Sequence, residues 1–260
     1  MKKTNEKVNN KDLQKYTDMR AVNEICKGVV YYKGWAMITN LASYYAKYVG
    51  EESYAEGELE GFIQFKDGRS IPAEPGKLRK MDIWHQWPEK TEWECSNTDV
   101  DVKWWSVDEK PINVEQLKRY EKLFGFNNDF AYMLKGGDCF RASQLAQFFD
   151  ICKEMGLKAY ALVTWGGCRA LISKDDTHFA ICLSFRPQEG YVNVYNNETG
   201  EFEDNRYTLV EAHNHWSHKA ENAKSESMLT KTSQYIEEIE QLIEKWKDKE
   251  QYERVYGDAK

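Results

Sequence analysis

The chain has 260 residues, 41% of them hydrophobic and 30% charged, which is enough apolar material for a sizeable core and excludes wholesale disorder. Its net charge of −7, with 36 Lys and Arg against 43 Asp and Glu, argues against a general nucleic-acid binder, whose phosphate contacts need clustered cations. No apolar run suits a membrane span, and the polar start from Met1 to Lys11 has no apolar segment of the secretory kind, so the expected setting is cytoplasmic and away from membranes.

In chain order, residues 1–10 are rich in Lys and Asn and read as a mobile arm. The pattern predicts a helix over Leu13–Ile25, a strand over Gly28–Tyr32, and a helix over the apolar stretch Trp35–Val49. Phe62–Ile71 contains Asp67-Gly68 between apolar residues and predicts a hairpin closed by a type I′ turn. Pro72, Pro75 and Gly76 mark a loop. A Trp-dense segment follows, with Trp84, Trp87, Trp93, Trp104 and Trp105; its end, Asp99–Trp105, alternates like a strand. Such a segment reads as core, with a binding groove as the competing use. Val114–Phe124 reads as a helix with Val114, Leu117, Tyr120, Leu123 and Phe124 on one side. Ser225–Arg254 reads as a long charged helix in which Ile236, Ile239, Ile243 and Trp246 recur at helical spacing. It suits packing on its own domain, with self-association through a short coiled-coil seam as the alternative.

Six cysteines (Cys26, Cys95, Cys139, Cys152, Cys168 and Cys182) are scattered without a CxxC pair and read as free thiols. Cys152 and Cys182 fall on apolar faces, as buried inert thiols do, and Cys168 follows Trp165-Gly166-Gly167 in a predicted loop. Only Cys139 has a setting that suggests reactivity. Gly136-Gly137 suits a tight turn and Asp138 suits a helix N-cap. Ala142, Leu145, Phe148, Phe149 and Cys152 then keep helical spacing up to Gly156. This predicts Cys139 in the first turn of a helix, where unpaired backbone N–H groups favour a thiolate. The same groups suit an oxyanion, which makes Asp138 a candidate cleft residue. His178 opens the strand-like run Thr177–Leu183 and is the candidate base. The next strand, Tyr191–Asn197, ends in amides. Val192, Val194 and Asn196 share a face, so Asn196 is the first candidate to orient the imidazole and Asn197 the second. Asn-Asn-Glu-Thr-Gly as an ordinary turn is the competing reading.

Gly137-Asp138-Cys139 ahead of a helix, Ala142 three residues on, the helix end Met155-Gly156-Leu157-Lys158-Ala159, His178-Phe179-Ala180 on the following strand and a polar residue ending the next together resemble the transglutaminase-like superfamily. The resemblance covers Gly136 to Asn197. It implies an α+β protein with a papain-like core, in which the helix bearing the cysteine packs on an antiparallel sheet, and amide chemistry through a thioester with no cofactor. Carried over, Cys139 is the nucleophile, His178 the base, and Asn196 stands where the family usually has Asp. The family's usual order at the histidine differs from His-Phe-Ala here. Some members use an upstream Trp near the oxyanion, a part open to Trp105 or Trp104.

The expected organisation is therefore an arm over 1–10, an aromatic-rich extension of helices and strands over 11–109, a transglutaminase-like core over 110–215 and a C-terminal helix over 216–260. The expected activity is thiol-dependent amide chemistry on a peptide or protein, hydrolysis ahead of cross-linking. Two other readings compete. One is a non-catalytic module that keeps the fold and binds a peptide or protein. The other is a metal-dependent hydrolase centred on His213, His215 and His218, whose HxHxxH spacing resembles the metal motif of metallo-β-lactamase-like hydrolases; that family has Asp where Ser217 stands. No CxxC or HExxH pattern supports a zinc site, and a surface turn is the leading reading of that stretch.

Overall fold

The computed structural model describes residues 11–32, 34–50, 61–73, 104–106, 112–127, 130–134, 137–165, 168–186, 193–203 and 206–256. The arm 1–10, Cys95, the tryptophans at 84, 87 and 93, and the Gly166-Gly167 pair lie outside those residues. The fold is α+β, with a large antiparallel sheet, a smaller mixed sheet and several helices. Among the described residues no helix is long and apolar enough to cross a membrane. The chain forms two compact units, each from two stretches: Met1–Pro111 with Gln144–Phe185, and Ile112–Ser143 with Arg186–Lys260. This division cuts across the expected one, because strands from the expected extension and the expected core pair within a single sheet.

Numbered along the chain, the first unit holds a single helical turn, α1 (Lys11–Gln14), and strands β1 (Val29–Tyr32), β2 (Trp35–Thr39), β3 (Ser43–Tyr48), β4 (Phe62–Gln64), β5 (Ser70–Pro72), β6 (Trp104–Ser106), β9 (Ala159–Trp165), β10 (Cys168–Lys174) and β11 (His178–Leu183). They form one sheet in the order β5-β4-β1-β2-β3-β11-β10-β9-β6, antiparallel throughout. Cross-strand rows such as Val30–Met37–Ala46–Phe179 and Tyr44–Ile181–Ile172–Ala161 bury one face. Burying a side chain of this size contributes about 1.5–3 kcal/mol. On the opposite face lies α3 (Ala142–Glu154), most of which belongs to this unit. Its Phe149 ring meets Tyr160 edge-on at 5.2 Å, and Cys152 reaches the Ser173 hydroxyl. The helix ends where expected: the Leu157 N–H donates to Cys152 O at 2.8 Å and the Gly156 N–H to Lys153 O at 3.2 Å.

Three local expectations change. Trp35–Val49 is the β2–β3 hairpin, not a helix. Asn40 Oδ1 accepts the N–H groups of Ala42 and Ser43, at 3.0 and 2.7 Å, and fixes the turn there. An apolar run buried on both faces of a sheet lacks the alternation that would have marked it as strand. Leu13–Ile25 keeps only α1 and a 3₁₀ turn at Glu24–Cys26. Thr17 Oγ1 donates to Gln14 O, while Asp18 Oδ1 accepts from Arg20 N and Asn23 Oδ1 from Ile25 N, all in competition with helical bonding. The β4–β5 hairpin forms, yet of Asp67 and Gly68 only Gly68 has positive φ (84°). With Gly68 N–H donating to Phe65 O and Phe65 N–H to Arg69 O, this is a type I turn followed by a glycine bulge, not a type I′ turn.

The second unit holds α2 (Val114–Phe124), β7 (Phe130–Met133), β8 (Cys139–Arg141), β12 (Asn193–Asn196), β13 (Glu201–Glu203), α4 (Arg206–Glu221) and α5 (Glu226–Tyr256). Its sheet runs β13-β12-β7-β8, with β12 and β7 parallel and the other pairs antiparallel. Asn113 caps α2 by accepting the Gln116 N–H at 3.1 Å. The apolar side of α2 then packs on the sheet, with Tyr120 edge-on to Tyr195 at 4.9 Å and Phe124 against Phe130 at 5.5 Å. The final helix forms close to its expected span. It pairs with α4, Ile239 being fully buried and Tyr235 lying edge-on to Trp216 at 4.7 Å.

Candidate functional site

Cys139 is the first residue of β8, three positions before the helix starts at Ala142, and does not lie in a helical turn. The turn that was to cap a helix closes a hairpin instead. Leu134 N–H donates to Asp138 O at 2.9 Å, Gly137 N–H to Leu134 O at 3.1 Å, and Gly137 takes φ 86°, a conformation that side chains with a Cβ resist. Asp138 therefore serves the β7–β8 turn through its carbonyl, and Cys139 pairs with Met133. The side chain is 4% exposed, and Sγ lies 3.7 Å from Gly137 O, within reach of a weak S–H donation. A cysteine in a strand lacks the helix-start setting expected for it, so a nucleophilic role for Cys139 would call for a neighbouring base.

Met133 also pairs with Asn196 across the parallel β7–β12 contact. Cys139, Met133 and Asn196 thus share one register row and one face of the small sheet. The cysteine and the amide are two strand spacings apart, roughly 10 Å. Asn196 Oδ1 accepts the N–H groups of Glu198 and Thr199, at 2.9 and 3.2 Å, which is the turn role foreseen as the competing reading. Asn197 Oδ1 accepts from the Tyr132 hydroxyl at 2.5 Å.

His178 begins β11 in the first unit, its side chain 20% exposed. Its Nδ1 lies 3.3 Å from Asp175 Oδ1 and 2.9 Å from Thr177 Oγ1. Asp175 sits in the tight β10–β11 connection and accepts the backbone N–H groups of Thr177 and His178, each at 2.7 Å. Partial burial pushes the Asp175 carboxyl up, but those two N–H groups, the His178 ring and the Thr177 hydroxyl together hold it below its ordinary value. A carboxylate fixed beside Nδ1 favours the tautomer with its proton on Nδ1 and leaves Nε2 to accept one. The acceptor sought for the imidazole at the end of β12 is thus present three residues before His178. The Asp-Asp-Thr-His run carries a signal for it, since Asp at the neck of a hairpin readily accepts the N–H groups two and three residues on.

The remaining candidates separate. His213, His215 and His218 lie on α4 and not in a turn, so their spacing spreads them round the helix. His213 Nε2 faces Glu240 at 3.2 Å, His218 Nδ1 lies 3.9 Å from Glu221, and the His215 ring stacks on Phe126 at 4.1 Å with Nε2 buried. Burial, then Lys219 and His218, hold His215 below the usual imidazole range. Such a set does not converge on an ion, and among the described residues no group of His, Cys, Asp and Glu does. Trp104 and Trp105 supply backbone to β6, and the oxyanion role considered for them rests on side chains outside the described residues. Cys168 opens β10 and does not sit in a loop. Cys152 and Cys182 are fully buried, and burial pushes both thiols up to about 12, which makes them inert at neutral pH.

No protein-family model matches the chain, and neither a curated protein nor a solved structure matches it.

Proposed function

We propose that this chain is a cysteine-dependent enzyme that acts on amide bonds of a peptide or protein, on a papain-like core of the transglutaminase-like kind. The observation that carries the reading is the His178–Asp175 pair, which supplies an imidazole of fixed tautomer. The order Gly-Asp-Cys, His, Asn along the chain supports it. In this reading Asp175 takes the orienting part, Asn196 serves the turn that follows β12, and Asn197 accepts from the Tyr132 hydroxyl of β7.

The chemistry balances without a cofactor. His178 Nε2 takes the Cys139 proton as Sγ attacks the amide carbonyl, forming a C–S bond. The tetrahedral intermediate collapses, the C–N bond breaks, and the amine leaves with the proton from His178. Water, deprotonated by the same ring, then attacks the thioester; a C–O bond forms, the C–S bond breaks, and Sγ recovers the proton from His178, while an amine in place of water would give transamidation. Hydrolysis is favoured because water is the more abundant acceptor.

A peptidyl chloromethyl ketone series, read by intact-mass measurement and peptide mapping, tests the reading. One adduct on Cys139 is expected, at least about 100-fold slower in His178→Ala. Equal labelling of the two proteins would remove the base from the account. The second reading, a peptide-binding module without catalysis, is favoured by the low exposure of Cys139; absence of any adduct supports it.

A further inference from the structure

Within the second unit, α4, α5 and the end of α2 enclose an open groove of about 470 Å³. Its floor is aromatic. Trp216 meets Tyr235 edge-on, and its indole N–H donates to Leu123 O at 3.0 Å, which fixes the ring before any ligand arrives. Phe126, stacked on His215, extends the floor. Met228, 38% exposed, adds an adaptable apolar contact.

The charge around this floor is opposite to that of the chain. Lys122, Lys219 and Lys231 line it, with Lys219 Nζ 4.6 Å from the Trp216 ring and Lys231 Nζ 5.8 Å from Tyr235. The charge of Lys122 acts on the neighbouring Glu121 carboxyl, which burial pushes up. Glu121 is the one acidic residue of the lining, in a chain whose net charge is −7. Three ammonium groups around an ordered aromatic floor match a ligand with both carboxylates and an apolar side chain.

We propose that this groove binds an acidic peptide segment of a partner protein, its apolar side chain on the Trp216–Tyr235 floor and its carboxylates on the three lysines. The volume holds one or two side chains. Glu121 and the overall negative charge disfavour a densely charged strand such as a nucleic acid. The proposal is independent of the thiol chemistry.

Fluorescence anisotropy with the full chain tests it, using fluorescein-labelled Asp-Glu-Leu-Phe-Glu-Asp, the same peptide with Lys for every acid, and an all-acid peptide without Leu and Phe. Only the first should bind, and the double variant Lys219→Glu, Lys231→Glu should weaken it by about tenfold or more. Methyl NMR adds a local readout: the Met228 signal should move on titration while that of fully buried Met37 stays. Equal binding of the all-acid peptide, indifference to the charge reversal, a stationary Met228 signal or no binding would each overturn the proposal.

Discussion

The two units solve the problem of burying a sheet differently. In the first, the nine described strands are antiparallel throughout, most neighbours are joined by short turns, and β1, β2 and most of β3 bury side chains on both faces. In the second, the sheet depends on a parallel pair, β7 with β12, whose strands are separated in sequence by α3 and three strands of the other unit. A parallel contact needs a crossover, and here the crossover includes the shorter of the two stretches that build the first unit, Gln144–Phe185. The candidate residues differ in the same way: the imidazole with its carboxylate belongs to a tight hairpin turn, whereas the Cys139 row spans that long-range pairing.

The largest expected effect tests whether the units are separate in energy. Phe179 is buried in the large sheet beside Tyr44, and Phe140 is fully buried in the small one. Phe179→Ala and Phe140→Ala should each cost about 3–5 kcal/mol. Hydrogen exchange should show the first loosening β3, β10 and β11, and the second β7, β8 and β12. Equal loss of protection in both sheets from either change would show one cooperative body and remove the contrast.

A smaller effect sharpens the view of the His178 turn. Asp175 is charged in the fold below its ordinary carboxyl value of 3.8. A depressed carboxyl contributes stability above its unfolded pKa and loses it as pH falls through the folded one. Asp175→Asn keeps an acceptor for the turn and removes the charge. Thermal melts should show a slightly lower Tm at neutral pH and no difference from wild type once the pH is below the folded value. A difference that persists in acid would assign the effect to turn geometry instead of charge.

The contrast between the units also explains what could be read from the amino acids alone. The α2 span, the body of α3 and the last helix follow from apolar spacing and local caps, which need no distant partner. Trp35–Val49 carries no alternation that marks a strand, because Trp35, Ala36, Met37 and Ile38 are all buried and leave no polar face. Cys139 was misplaced for a different reason. Gly-Gly-Asp suits a helix cap and a hairpin turn equally, and Met133, six residues upstream, decides between them by pairing. Asp175 lies outside any strand-end pattern, because the turn it makes holds the carboxylate locally.

The most direct test of the central claim is the rate at which iodoacetamide captures Cys139 as a function of pH, followed by peptide mapping in wild type and His178→Ala. The account predicts capture that stays fast below about pH 7, where an ordinary thiol of pKa about 8.5 is nearly all protonated, and that falls to the ordinary rate without His178. A Cys139 whose rate simply rises toward pH 8.5 in both proteins would contradict a thiol–imidazole pair and with it the proposed enzyme.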